Sequence, residues 1–230
     1  MLRSEVLQPL IDLSKRKRYL EIGVEGGITF QAICAEKKVA VDPIFRFDLP
    51  SERFTREIEY HEITSDDYFG IITKHELFDV IYIDGLHTFE QTLRDLLNSI
   101  EHLDEGGVIV VDDVLPTSWA ASLDKQSDAA FVRDLLAAER FDGNNWMGPV
   151  FKLVYFISTF MPGYDFATIQ DNHGQLVMWR SIQKAPFTPD MSIDDISRID
   201  FLAVTKDKTA FRLALYSEIY KAYRLAITGT

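Results

Sequence analysis

Tyr19-Leu20-Glu21-Ile22-Gly23-Val24-Glu25-Gly26-Gly27-Ile28-Thr29 decides the fold. An apolar run leads into a glycine-rich turn, and helix-forming residues follow. Glycine accepts positive φ and lets a ligand come close to the backbone. A helix start adds free N–H groups. Outward from this stretch, three more apolar runs recur: Val39–Val41, Val80–Ile83 and Val108–Val111. None alternates apolar with polar, as expected of central strands in a parallel sheet covered on both faces.

Helical patterns lie between the runs. One is expected over Thr29–Lys37. A second, over Thr88–Leu103, places Phe89, Leu93, Leu96, Leu97 and Ile100 on one face. Asp104-Glu105-Gly106-Gly107 is expected to end it with a glycine cap. Ile58–Ile63 reads as a strand near an edge. Alternation of strand and helix predicts an α/β, doubly wound, mostly parallel sheet with helices on both faces. Asp128–Arg140 looks helical, and Val150–Met161 fits either a helix or a strand. Phe166–Ile169 and Gln175–Arg180, joined by Asp171-Asn172-His173-Gly174, read as a C-terminal antiparallel hairpin. Thr209–Leu225 reads as an amphipathic helix whose Tyr216, Tyr220 and Tyr223 face the core or a second copy in a homodimer.

The 230 residues carry 24 Lys+Arg against 36 Asp+Glu, a net charge of −12. That field repels phosphate backbones and anionic membrane surfaces, so nucleic acid and membrane are not expected partners. The basic run Lys15–Arg18 is expected at a helix C-terminus. Cys34 is the only cysteine, which fits a reducing compartment, and a small buried side chain is expected there. No apolar run reaches the ~18 residues of a membrane span. The first residues read as an amphipathic helix, not a secretion signal. We expect a cytoplasmic protein of one domain over 1–230. It divides into an N-terminal helix (1–18), a ligand-binding half (19–115) and an acceptor-side remainder (116–230).

Asp42 ends the second apolar run, 19 residues after Gly23, where a carboxylate can accept both hydroxyls of a ribose. Glu21 stands just before the turn and Glu25 inside it, so the turn lacks the Gly-x-Gly-x-x-Gly pattern. Two acids there favour a cationic ligand over a pyrophosphate. A ligand with ribose, positive charge and no phosphate fits S-adenosylmethionine (SAM).

Here the sequence resembles a known family. Leu20–Thr29, Val41-Asp42-Pro43, Phe78–Gly85 and Gly106–Asp113 are similar to the motifs of class I SAM-dependent methyltransferases, whose fold is Rossmann-like. The resemblance covers about residues 18–115 and is strongest to small-molecule O-methyltransferases of the macrocin type. It implies that Gly23, Gly26, Gly27 and Thr29 line the cofactor, that Glu21 sits at its ammonium end and that Asp42 holds its ribose. It places Ser65 and Asp66 near adenine. A helix cap with acids in its first turn explains that pair equally well.

Asp84 ends one apolar run, and Asp112 and Asp113 end the next. On neighbouring parallel strands ~4.8 Å apart the three would converge at the ligand-binding edge. Close carboxylates need a compensating cation, and Mg²⁺ suits oxygen ligands. The spacing resembles that of cation-dependent O-methyltransferases, which implies a metal on Asp84, Asp112 and Asp113 that orients two neighbouring acceptor hydroxyls. In the alternative, Asp112 and Asp113 cap the next segment and Asp84 touches only cofactor. His87, three residues after Asp84, is either a general base or a residue that orients a carboxylate. Trp119 and Asn144–Gly148 are candidate acceptor-loop residues.

The expected activity is methyl transfer from SAM to a hydroxyl of a small molecule such as a sugar or glycosylated natural product, with Asp84 and His87 catalytic. The rival readings are an NAD-dependent oxidoreductase and a non-catalytic SAM-binding module.

Overall fold

The computed structural model describes residues 1–72, 75–136, 146–181 and 189–229. Its centre is an eight-stranded sheet in the order β3-β2-β1-β4-β5-β7-β6-β8. The strands are β1 (Arg18–Ile22), β2 (Lys37–Val41), β3 (Ile58–His61), β4 (Phe78–Ile83), β5 (Leu103–Val111), β6 (Tyr164–Ile169), β7 (Leu176–Arg180) and β8 (Leu213–Ala214). β1 to β5 are parallel. β7 pairs antiparallel with both β5 and β6, which makes the expected hairpin. The strand order reverses between β1 and β4, the switch point at which such sheets bind ligands.

Both faces of the sheet are covered. On one, Tyr19, Val80, Tyr82, Val108 and Val110 pack with Val6, Leu7, Leu10 and Ile11 of α1 (Arg3–Leu13). On the other, Leu20, Ile81, Ile83, Ile109 and Val111 pack with Phe89 and Leu96 of α4 (Phe89–Glu101). Each central strand thus buries alternate residues on opposite faces. Its apolar run is unbroken for that reason.

The structure differs from the sequence expectations at several places. The helix after the glycine turn is α2 (Ile28–Ala32), five residues long. Lys38 Nζ donates to the carbonyls of Phe30 and Ile33 and holds that short end. Cys34 therefore lies beyond the helix and is exposed, not buried. Gln8 bonds both its backbone N–H and its carbonyl. α4 stops at His102 without a glycine cap, and Asp104–Gly107 belongs to β5. His102 Nδ1 contacts the Glu76 carbonyl at 2.8 Å, which turns the chain directly into the sheet. Gly107 fits there because a Cβ would lie 2.7 Å from the Leu103 side chain.

α1 ends at Leu13, so Lys15–Lys17 lie in the connection. Arg18 begins β1 and pairs with Asp79 and Asp104. The segment from 150 is helical, ending in α6 (Lys152–Phe160). The last helix, α9 (Tyr216–Thr228), starts later than expected because 213–214 pairs with β6. Tyr216 and Tyr223 are used within the chain: their hydroxyls donate to the carbonyls of Val6 and Gly106. α5 (Gln126–Leu136) begins the expected 128–140 helix, whose end lies outside the described residues. No described helix is long and apolar enough to cross a membrane.

Candidate active site

The register carries the acids to the sheet's C-terminal edge. Ile22 pairs with Ile83, and Ile83 with Val111, so Asp84 and Asp112 follow side by side on β4 and β5. Asp84 N–H donates to the Ile22 carbonyl, and Asp112 N–H to that of Ile83. Asp113 then adopts φ +59, a left-handed conformation that aspartate tolerates better than most residues. The strand's alternation therefore breaks at the position where two consecutive acids must serve one site.

Two sets of contacts result. His87 Nε2 lies 3.4 Å from Asp84 Oδ1 and 3.2 Å from Asp113 Oδ2. Ligand atoms of Asp84, His87 and Asp113 all fall within 4.8 Å of one another. Asp112 makes other contacts. Its Oδ2 accepts from Arg3 Nε at 2.5 Å and Tyr82 Oη at 2.6 Å, and His173 Nε2 lies 2.8 Å from its Oδ1.

These surroundings move the protonation equilibria. Burial pushes Asp113 up to about 7, helped by the neighbouring charge of Asp112. Burial and Asp112 likewise raise Asp84. For Asp112, burial is outweighed by His173, Arg3 and Tyr82, which hold it at about 2. Burial opposes the charge on His87, but Asp84 and Asp113 raise it to about 9. Shifted groups gathered at one sheet edge make this the candidate site.

His87 is held from behind. Its Nδ1 lies 2.7 Å from the Trp146 carbonyl, and Trp146 Nε1 donates to the Leu123 carbonyl at 2.6 Å. Gly148 has φ +61, and a Cβ there would lie 1.8 Å from the His87 carbonyl oxygen. A carbonyl accepts only, so Nδ1 carries hydrogen and Nε2 faces the two acids. Residues 146–148 of the candidate acceptor loop thus clasp His87; Asn144 and Asn145 lie outside the described residues. Trp119 is half-exposed in the loop after β5.

The glycine turn lies beside this cluster. Gly23 has φ +84, and a Cβ would stand 2.0 Å from the Asp84 carbonyl oxygen. Gly26 faces open space, where a ligand can approach. Gly27, at φ +73, precedes α2, and Thr29 is partly buried in its first turn. Glu21 is 1% exposed, and its hydrogen bond among the described residues comes from Tyr19 Oη at 2.5 Å. Burial raises Glu21 to about 8. Asp42 Oδ2 accepts from the N–H groups of Val24 and Glu25, and Oδ1 from that of Ile44, all at 2.8 Å. It ties the end of β2 to the turn, a buttressing duty that a ribose would have to share. Glu25 faces outward and pairs with Arg46. Ser65 and Asp66 open α3 (Ser65–Ile71), capped by Thr64. Gln91 and Arg94 of α4 hold them.

Sequence reasoning missed Arg3, Tyr82 and His173, and it placed Trp146 in a candidate acceptor loop without its contact to His87. Tyr82 alone left a signal: a polar-tipped residue inside an aliphatic run, two places before Asp84.

Comparison with known proteins bears on the fold. Residues 20–114 match the model of a family described as a methyltransferase domain. No curated protein matches the chain. Among solved structures, a candidate caffeoyl-CoA O-methyltransferase from Staphylococcus aureus superposes with a TM-score of 0.52 at 15% identity, covering 79% of this chain and 84% of that one. A candidate O-methyltransferase from Klebsiella pneumoniae gives 0.51 at 16% identity, covering 78% and 80%. Residues 20–114 thus resemble a methyltransferase domain, and they lie on a mostly parallel, Rossmann-like sheet.

Proposed function

We propose that the protein is a SAM-dependent O-methyltransferase, assisted by a divalent cation such as Mg²⁺ and acting on a small molecule with neighbouring hydroxyls. A sugar or a glycosylated natural product is the acceptor class we favour. The observation that carries the reading is the meeting of Asp84, Asp113 and His87 beside the Gly23 turn.

The residues fit both absent groups. Open space at Gly26 and a buried acid at Glu21 suit a ligand with a cationic amino-acid end. Oxygen donors from Asp84, Asp112 and Asp113 suit a hard divalent ion, with His87 beside them. SAM supplies an electrophilic methyl on a sulfonium, and the cation supplies Lewis-acid activation of the acceptor hydroxyls.

The chain supplies the rest. Glu21 takes the ammonium end. Asp42 and the turn it supports take the ribose, and Ser65 and Asp66 lie toward adenine. His87 Nε2 receives the acceptor's hydroxyl proton, while the Trp146 carbonyl keeps the ring in the tautomer that leaves Nε2 free. Alignment of hydroxyl and methyl supplies much of the acceleration. The net charge of −12 weighs against nucleic-acid acceptors. The lone cysteine suits the cytoplasm.

Labelled SAM, offered with a panel of vicinal-diol sugars and glycosides, tests this function. Transfer is expected with Mg²⁺, to vanish in EDTA and to return on adding excess Mg²⁺. Undiminished transfer in EDTA would remove the cation from the proposal.

A further inference from the structure

The acidic cluster contains its own counter-charges. Three carboxylates, Asp84, Asp112 and Asp113, face three basic side chains. His87 stands between Asp84 and Asp113, and His173 stands against Asp112. Arg3 bridges Asp84 and Asp112. Its Nε lies 2.5 Å from Asp112 Oδ2 and 3.4 Å from Asp84 Oδ2, and it donates to Tyr82 Oη at 2.8 Å.

Arg3 is the first residue of α1, whose Val6, Leu7, Leu10 and Ile11 are fully buried. The helix is anchored through that apolar face. The Arg3 side chain is 40% exposed and has room to swing toward solvent. The Asp112 side chain is 1% exposed and cannot leave. The guanidinium bridges Asp84 Oδ2 and Asp112 Oδ2 on adjacent strands, oxygens that an ion held by all three carboxylates would use. Two cations cannot share them, because like charges at that separation repel strongly in a partly buried site.

We propose that Arg3 is a built-in counter-ion that fills part of the cation seat and withdraws when a divalent ion binds. Cation binding is thereby coupled to the first turn of α1. The inference rests on the cation reading of the site, but it concerns a residue on a different element.

The test is direct titration of Mn²⁺, followed through the EPR signal of the free ion, without SAM or acceptor. Wild type, Arg3→Ala and Arg3→Lys are compared. Arg3→Ala is expected to bind Mn²⁺ at least tenfold more tightly than wild type, with Arg3→Lys between them. Equal or weaker binding by Arg3→Ala overturns the role of Arg3 and leaves the cation reading standing. No Mn²⁺ binding by any of the three overturns both. Amide exchange across residues 3–6 of the wild type is a second readout that needs no variant. Saturating Mn²⁺ is expected to speed exchange there, and unchanged exchange on ion binding overturns the proposal.

Discussion

Replacing His87 with alanine is expected to lower turnover by about 10²–10⁴-fold, the usual share of a positioned acid or base. SAM affinity should change by less than about threefold, because His87 faces Asp84 and Asp113 rather than the glycine turn. The pH profile separates a base from a merely structural residue. His87 must be neutral to accept a proton, and without a cation it is held protonated up to about 9. The wild-type rate should therefore climb with pH, by up to tenfold per unit, and level off at or below about 9. A cation on Asp84 and Asp113 offsets the charges that raise His87, so Mg²⁺ moves the plateau down. The variant should lose this rising limb. A normal rate in His87→Ala, or a limb that survives, would leave His87 only an orienting role.

Gly23→Ala carries the second large effect. At φ +84 an alanine is strained, and its Cβ would lie 2.0 Å from a main-chain oxygen of Asp84. Backbone cannot rotate away as a side chain can, so the end of β4 must move. Strain and overpacking together should cost about 3 kcal/mol. For a chain of this size that lowers the melting temperature by roughly 6–12 °C. The same displacement shifts Asp84, so SAM and cation binding should weaken together. Gly26→Ala is the matched control: nothing lies within 4 Å of its Cβ and its φ is not left-handed. Its stability should stay near that of wild type. Equal melting temperatures for Gly23→Ala and wild type would contradict the packing described for the turn.

The central sheet was legible because its strands are buried on both faces. Val80–Ile83 and Val108–Val111 have no polar side to break the run. Asp84, Asp112 and Asp113 were legible for a related reason: each ends such a run, and parallel register brings the ends together. Gly106-Gly107 misled because glycines after a helical pattern usually form a cap. Here the contact of His102 with Glu76 turns the chain first, leaving both glycines to the irregular start of β5. Cys34 misled because the helix expected to bury it stops at Ala32.

The counter-charges could not be read in the same way. Arg3 meets Asp112 across 109 positions of chain, and His173 arrives on a hairpin turn. Trp146 reaches His87 across 59. No periodicity links such residues; tertiary packing alone brings them together. They decide which acids are ionised, so the site's electrostatics were the least legible part of the molecule.

Calorimetric titration of SAM into the purified protein, first with Mg²⁺ and then with EDTA, tests the central claim most directly. The account predicts one site per chain with a dissociation constant on the order of micromolar, little changed by the ion, because the proposal assigns cofactor binding to the glycine turn and Glu21. Absence of binding under both conditions would contradict it.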